Sequence, residues 1–344
     1  MSKSPLVSVG LITYNQRKFV RDALLGAFSQ TYSPLEIIIS DDSSSDGTWE
    51  ILQGMVEEYR QNGGVHTIIL NRNAKNLGII GNFLKTFELM HGELLVHAGG
   101  DDISYPNRVE IIVREWLKRG KRPPVVYHAA DRMDCRGRLL TPMFPYGYDE
   151  NGGDLHWRSL ESVYFFGALM AYRPEVVRNF GQPFIKHGED FLLGWRSLLL
   201  GDPLLLGDKL VKYRVGSGLS SSVFGFRKAR IGTVGRALDA VNQFMVDCET
   251  ICTSVSADRL KKVQDLVMER KLFYDAWEKC LMGRTFAERL QGWRGGGEWL
   301  LPFHAPRCVR GLLLLPSWIT TPLFALFIFM VQVRRLFIGL KSGK

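Results

Sequence analysis

The sequence predicts an α/β protein with a mainly parallel sheet, flanking helices and a helical C-terminal extension, and three observations carry that prediction. Over residues 1–130 short apolar runs alternate with amphipathic helical patterns, the rhythm of βαβ units. The residues that follow each apolar run are strongly polar. From residue 223 onward the pattern turns helical and closes in a basic, apolar tail.

Taken in chain order, aliphatic runs bounded by turn-forming residues predict strands over 6–13, 35–40, 65–70, 93–98 and 125–129. Between them a helix is expected over 19–28. Helical spacing also recurs at Ile51, Leu52, Met55, Val56 and Tyr59, at Phe83, Leu84, Phe87 and Met90, and at Val109, Ile112, Val113, Trp116 and Leu117. These are four crossover helices. Beyond Arg132 a turn is expected at Asp134-Cys135-Arg136-Gly137, then a Pro-, Gly- and Tyr-rich loop over 141–153. A further strand over 165–172, a helix opening at Pro174 and a helix over 189–200 follow. Residues 224 to about 293 read as helical, with Gly295-Gly296-Gly297 as a break.

Composition narrows the class. A chain of 344 residues, 46% hydrophobic and 23% charged, is long enough for about two domains and too apolar to be disordered. The five cysteines form no CxxC pair, so neither a disulfide framework nor a zinc site is indicated, and a reducing compartment is expected. The net charge of +9 is uneven, because residues 301–344 hold six Lys and Arg and no Asp or Glu. No secretory signal is expected, since the apolar run at 7–12 is short and enters Thr13, Tyr14 and Asn15.

In a parallel sheet ligands bind outside the carboxyl ends of the strands. Those ends here are Thr13-Tyr14-Asn15, Asp41-Asp42 with the Ser43 to Gly47 turn, Asn71 to Asn76, and Gly99-Gly100-Asp101-Asp102. Asp41 and Asp42 fit either ligand binding or turn and helix capping. The adjacent carboxylates of Asp101 and Asp102 after two glycines fit either a helix start before Pro106 or a hard divalent ion, Mg²⁺ or Mn²⁺, shared with phosphate oxygens. Glu189-Asp190 opens an apolar helix, either as a complement to the helix dipole or as a general base at the rim of an acceptor pocket. There is no GxGxxG, GxxxxGK[ST], HExxH or GxSxG, the seven histidines show no ligand spacing, and no aromatic pattern for RNA is present. No nucleic acid is expected as a partner.

In their order, the segments Val7-Ser8-Val9 to Thr13-Tyr14-Asn15, Ser29-Gln30-Thr31-Tyr32, Glu36 to Thr48 and Asp101-Asp102 resemble a family 2 glycosyltransferase of the GT-A fold over about residues 5–218. The chain is similar to bacterial surface-polysaccharide and O-antigen glycosyltransferases. The resemblance implies an inverting, metal-dependent hexosyltransferase using a nucleotide-diphosphate sugar, with UDP favoured and dTDP second. Thr13 and Tyr14 match its first nucleotide-contacting segment, Asp41 the residue that meets the base, and Asp101 the metal-binding carboxylate, which Asp102 follows. Asn15, Asp42, Asn76 and Gly100, at the same strand ends, are expected to line the nucleotide-sugar site with them. Asp190 resembles the catalytic base, and Glu189 is the reserve. Two departures stand out. Gly99 replaces the first aspartate of Asp-x-Asp-Asp, and the element at Tyr213-Arg214 lacks the histidine often found after it, so no third protein ligand is visible.

On this reading residues 1–130 form the nucleotide-sugar-binding half, 131–222 the acceptor-binding half of the same domain, 223–300 a helical extension and 301–344 a membrane-associating tail. Residues 311–333 carry no charge, although Pro316 and Pro322 interrupt them. That stretch fits a spanning segment, a helix lying on anionic headgroups, or a buried helix. The expected acceptor is a lipid-linked saccharide, with membrane contact through 311–340 at the cytoplasmic face of a bacterial inner membrane. The alternatives are a sugar nucleotidyltransferase, for which Thr13-Tyr14-Asn15-Gln16 supplies no Gly-rich basic loop, and a non-catalytic membrane-bound scaffold whose nucleotide cleft has decayed at Gly99.

Overall fold

Seven residues, Val7–Thr13, of which only Ile12 is less than fully buried, form the strand β1 at the heart of the sheet. The computed structural model describes residues 4–144, 166–181, 183, 185, 189–215 and 226–282. After β1 come α1 (Val20–Phe28), β2 (Leu35–Asp41), α2 (Thr48–Gln61), β3 (Thr67–Arg72), α3 (Gly78–Leu89), β4 (Leu94–Gly99), β5 (Ile103–Ser104), α4 (Arg108–Lys118) and β6 (Val125–Met133). A 3-10 turn, Gly167–Leu169, leads into β7 (Met170–Tyr172), then α5 (Glu175–Arg178), α6 (Glu189–Leu200), β8 (Leu204–Arg214), α7 (Phe226–Ile251) and α8 (Ala257–Met282).

The strand order is β3-β2-β1-β4-β7-β6-β8-β5. β1 pairs parallel with β2 and β4, β2 with β3, and β6 with β8, while β7 is antiparallel to β4 and β6. Val7, Val9 and Leu11 pack with Leu24 of α1, Leu52 of α2 and Val109, Ile112, Val113 and Trp116 of α4 in one apolar cluster. Each such side chain, fully buried, contributes roughly 1.5–3 kcal/mol. On Gly10 of β1 a Cβ would stand 3.0 Å from Oγ1 of Thr86, so the glycine lets α3 approach the sheet closely.

The sequence expectation meets the structure at β1, β2, β4 and the four crossover helices. β3 starts two residues later than expected, at Thr67, because Val65 is 82% exposed and the chain enters the sheet only after His66. β6 runs on to Met133. Strand β8 has no counterpart in the expectation, since register shifts around His128, Ala129 and Ala130 break the period-2 alternation across Gly207 and Asp208. Of the strand expected over 165–172 only Met170–Tyr172 is extended, after the 3-10 turn. The helical stretch from 224 is two helices, interrupted over 252–256.

The chain divides into two compact units, one of Met1–Ser221 with Asp239–Leu266, the other of Ser222–Leu238 with Val267–Lys344. Within the first, Arg196 of α6 and Asp247 of α7 form a buried ion pair at 2.6 Å, and the rings of Trp195 and Phe244 meet edge to face at 6.0 Å. Among the described residues no helix is long and apolar enough to cross a membrane. The loop from 145 to 153, the triple glycine at 295–297 and the tail 301–344 lie outside the described residues.

Candidate active site

Parallel register gathers the polar strand ends. Thr13 lies opposite Asp41, Ile12 opposite Gly99 and Asp41 opposite Arg72. Four neighbouring strands, β3, β2, β1 and β4, therefore deliver Arg72, Asp41, Thr13 and the loop Gly99-Gly100-Asp101-Asp102 to one edge of the sheet.

Asp41 is fully buried and works locally: its Oδ2 accepts the Ser44 N–H at 2.9 Å and its Oδ1 the Ser44 hydroxyl at 2.5 Å. The Asn15 N–H donates to the same hydroxyl at 2.9 Å, and Asn15 Oδ1 accepts the Ser45 N–H at 2.9 Å. Asn15 and Ser43 both hold positive φ, 51° and 61°, in these linked turns. Arg72 Nε stands 3.7 Å from Asp41, its Nη2 donates to the Ser44 carbonyl at 3.0 Å, and its guanidinium lies 5.3 Å from the Trp49 ring centre. Ser44 belongs to the turn and Arg72 to the polar strand end 71–76 that the sequence indicates, but neither they nor Trp49 are among the site residues expected from it. The Asp41–Arg72 register is the signal that reveals Arg72.

Asp42 and Asn76 are both engaged at the start of α3. Asp42 Oδ1 accepts the Leu77 N–H and the Asn73 amide, each at 2.8 Å, and its Oδ2 accepts the Gly78 N–H at 2.9 Å. Asn76 Oδ1 accepts that same Gly78 N–H at 2.9 Å. Tyr14 is exposed beside these turns.

Gly100 is where the backbone must come close. A Cβ there would stand 2.2 Å from Gln16 Oε1 and 2.9 Å from Thr13 Oγ1, two buried oxygens without a hydrogen-bond partner among the described residues. At Gly99, the position that departs from Asp-x-Asp-Asp, a Cβ would lie 3.0 Å from Asp102 Oδ2 and 3.2 Å from Asp101 Oδ1. Both carboxylates thus curl over one glycine. Asp102, 7% exposed, is pushed well above the usual carboxylate range by burial and then by the like charge of Asp101, while Arg108 and Arg214 pull the other way. Arg108 is itself buried, donating to His128 Nε2 at 3.1 Å, to the His97 and Ala168 carbonyls at 2.8 Å and to the Ser104 hydroxyl at 3.0 Å; burial holds it down at about 9.

Asp190 sits half-buried in the first turn of α6, where Glu189 opens the helix. Burial and then the Asp190 charge raise the Tyr127 phenol. Tyr213 is raised by burial, then by Asp102, Asp101 and Asp190. One phenol therefore feels both the acidic pair and the carboxylate expected to be the base.

The Asp101 and Asp102 carboxylates would suit a hard divalent cation, with a diphosphate supplying its remaining ligands. Two carboxylates converge over Gly99, in keeping with how Mg²⁺ is held by one or two protein carboxylates plus phosphate oxygens. Among the described residues no group of three or more His, Cys, Asp or Glu could hold a metal ion by itself.

Comparison with known proteins agrees with this architecture. The chain is 26% identical over 219 residues to a glycosyltransferase of Rickettsia typhi, covering 62% of this chain and 64% of that one, just under two thirds of the relative's length. It is 25% identical over 231 residues to a glycosyltransferase of Haemophilus influenzae, covering 65% and 70%, and 30% identical over 141 residues to the chondroitin synthase of Escherichia coli, covering 41% and 19%. Among solved structures it resembles S. aureus TarS 1–349 in complex with UDP-GlcNAc, with a TM-score of 0.53, 15% identity and 85% and 89% of the two chains covered. It also resembles the mannosyltransferase PcManGT of Pyrobaculum calidifontis in complex with GDP-Man and Mn²⁺, with a TM-score of 0.57, 14% identity and 96% and 81% covered. At these identities the likeness is one of fold, and the fold is GT-A. The model of glycosyl transferase family 2 matches residues 8–180, half of the chain, and with the strand-end site in place the chain belongs to that family.

Proposed function

We propose that the protein transfers a sugar from a nucleotide-diphosphate sugar, UDP-linked in the first instance and dTDP-linked in the second, to a hydroxyl of a lipid-linked saccharide in bacterial polysaccharide synthesis, with inversion at the anomeric carbon. The single observation that carries this reading is the convergence of Thr13, Asp41 and the Asp101-Asp102 loop at one sheet edge, with Asp190 close enough for its charge to act on the same phenol, Tyr213.

In this reading the turns at Asn15 and Ser44 hold Asp41 against the base and ribose of the donor, and Arg72 over Trp49 flanks it. Thr13 and Gly100 line the path toward the diphosphate, helped by Tyr14, Asn15, Asp42 and Asn76 at the rim. Asp101, with Asp102 behind it, holds Mg²⁺ or Mn²⁺. When bound, such an ion supplies charge stabilisation for the leaving diphosphate. Asp190, with Glu189 as reserve, takes the proton of the acceptor hydroxyl as its oxygen attacks the anomeric carbon from the face opposite the departing nucleotide. Membrane contact through residues 311–340, at the cytoplasmic face of the inner membrane, suits a lipid-linked acceptor and rests on the uncharged run 311–333 between Arg310 and Arg334.

Calorimetric titration with UDP-, GDP- and dTDP-sugars, in Mn²⁺ and in EDTA, tests the reading. A UDP-sugar is expected to bind, more tightly with the metal. If no nucleotide sugar binds under either condition, the donor site is refuted.

A further inference from the structure

We propose that Arg214 is a positioning residue for the acidic loop 99–102, fixing where the Asp101 carboxylate meets a divalent cation; this rests on the metal-assisted reading above. Arg214 ends β8, is 6% exposed, and reaches the loop twice. Its main-chain N–H donates to Asp102 Oδ1 at 2.8 Å, and its Nε donates to the Asp101 carbonyl at 2.9 Å. From the same guanidinium, Nη1 donates to the Asp134 carbonyl at 3.3 Å and Nη2 lies 3.8 Å from the Asp22 carboxylate, while the Phe19 ring centre is 4.5 Å from Cζ.

β5, which follows the loop, pairs with β8 at Ile103 and Ser104. Within the loop, Gly100 N–H donates to the Ile12 carbonyl at 2.9 Å and Asp102 N–H to the Gly99 carbonyl at 3.2 Å, and both are bonds between main-chain groups. The Arg214 fork holds the loop from the end of β8, more than a hundred residues later in the sequence.

Charge alone predicts the reverse of what positioning predicts. A guanidinium beside two carboxylates repels a metal ion, so as a mere charge its removal tightens metal binding and its replacement by lysine changes little. As a fork that bonds Asp101 and Asp134 at once, it is not replaceable by the point charge of an ammonium.

The test is Mn²⁺ titration followed by electron paramagnetic resonance, in the presence of UDP, on the full chain and its Arg214→Lys and Arg214→Gln variants, with uridine binding as a separate readout of the Asp41 pocket. Both variants are expected to weaken Mn²⁺ uptake by about 10- to 100-fold, as loss of a residue supporting a metal ligand does, with uridine binding unchanged. A lysine variant that binds Mn²⁺ like the wild type, or a glutamine variant that binds it more tightly, overturns the proposal. Wild-type protein that takes up no Mn²⁺ at all refutes the metal reading and the inference with it. If neither Arg214 variant keeps the wild-type circular dichroism spectrum, Phe19→Leu takes their place. It is expected to weaken uptake by about 2- to 5-fold through loss of the cation–π contact, and unchanged uptake then overturns the proposal.

Discussion

The main-chain N–H of Asn15 donates to Oγ of Ser44 at 2.9 Å, and through that hydroxyl the turn after β1 is tied to the Asp41 carboxylate at the end of β2. The bond joins two turns that each contain a left-handed residue, Asn15 and Ser43. The Asp41 carboxylate is thus held by Ser44 through both of its oxygens, and the two turns are tied to each other through the same hydroxyl.

Ser44→Ala removes the shared hydroxyl and leaves a buried carboxylate short of one donor. Denaturant unfolding is expected to show a loss of about 1–3 kcal/mol. Nucleotide affinity should fall with it, because Asp41 is released; unaltered affinity of the folded variant for UDP contradicts the role given to this turn.

Asp42→Ala strips three acceptor contacts from the start of α3, at Leu77, Gly78 and Asn73. A loss of about 2–4 kcal/mol in unfolding free energy is expected, since buried donors are left unmade. An unchanged unfolding midpoint shows that α3 does not depend on this carboxylate.

Burial holds His97 down at about 3 and His128 well below the ordinary histidine value, with the Arg108 charge adding to both. In the unfolded chain both titrate near 6.5, so between there and pH 3 the unfolded state binds more protons. Their contribution to stability is complete above about pH 6.5 and falls on acidification, by up to about 1.4 kcal/mol per pH unit for each. Asp102, raised in the fold, works in the opposite direction as pH falls through its folded value. His128→Gln keeps an acceptor for Arg108 Nε and removes one titration. Its unfolding free energy should fall less steeply from pH 6 to pH 5 than that of the wild type, and equal slopes contradict the assignment.

Asp247→Asn leaves Arg196 buried without its counter-charge, Arg196 being held at 2.6 Å and 2.8 Å by the two carboxylate oxygens. A cost of about 3–5 kcal/mol is expected on unfolding. The double variant with Arg196→Met should recover much of it, because the stranded charge is gone; if the double variant is no more stable than Asp247→Asn, the pair does not carry the effect.

That the polar strand ends come together was legible in the sequence because each lies next to its strand. Thr13 ends its apolar run, Asp41 follows its run directly and Asp101 comes two glycines after its run, so finding the strand points to the residue. Arg72, Ser44 and Arg214 lie in segments the sequence points to, at 71–76, at the Ser43 to Gly47 turn and at the Tyr213-Arg214 element, but their partners are not legible there. Arg72 acquires meaning only through its register with Asp41, and Arg214 only through bonds to Asp101, Asp102 and Asp134 that depend on how β8 pairs. Strand β8 itself was hidden because its register shifts beside β6 disturb the alternation by which an isolated strand is recognised. Asp42 looked like its neighbour Asp41, yet its bonds go to α3, thirty-five residues onward.

The measurement that bears most directly on the account is the initial rate of UDP release from a UDP-sugar with a lipid-linked saccharide acceptor, for the wild type, Asp101→Ala and Asp190→Asn. Wild-type protein is expected to release UDP in the presence of Mn²⁺ and to stop in EDTA, and Asp101→Ala to be nearly inactive. Asp190→Asn should bind UDP and Mn²⁺ normally and turn over about 10²- to 10⁴-fold more slowly, as loss of a general base requires. If Asp190→Asn and Glu189→Gln both release UDP at the wild-type rate, or if wild-type release is undiminished by EDTA, the account of this site is contradicted.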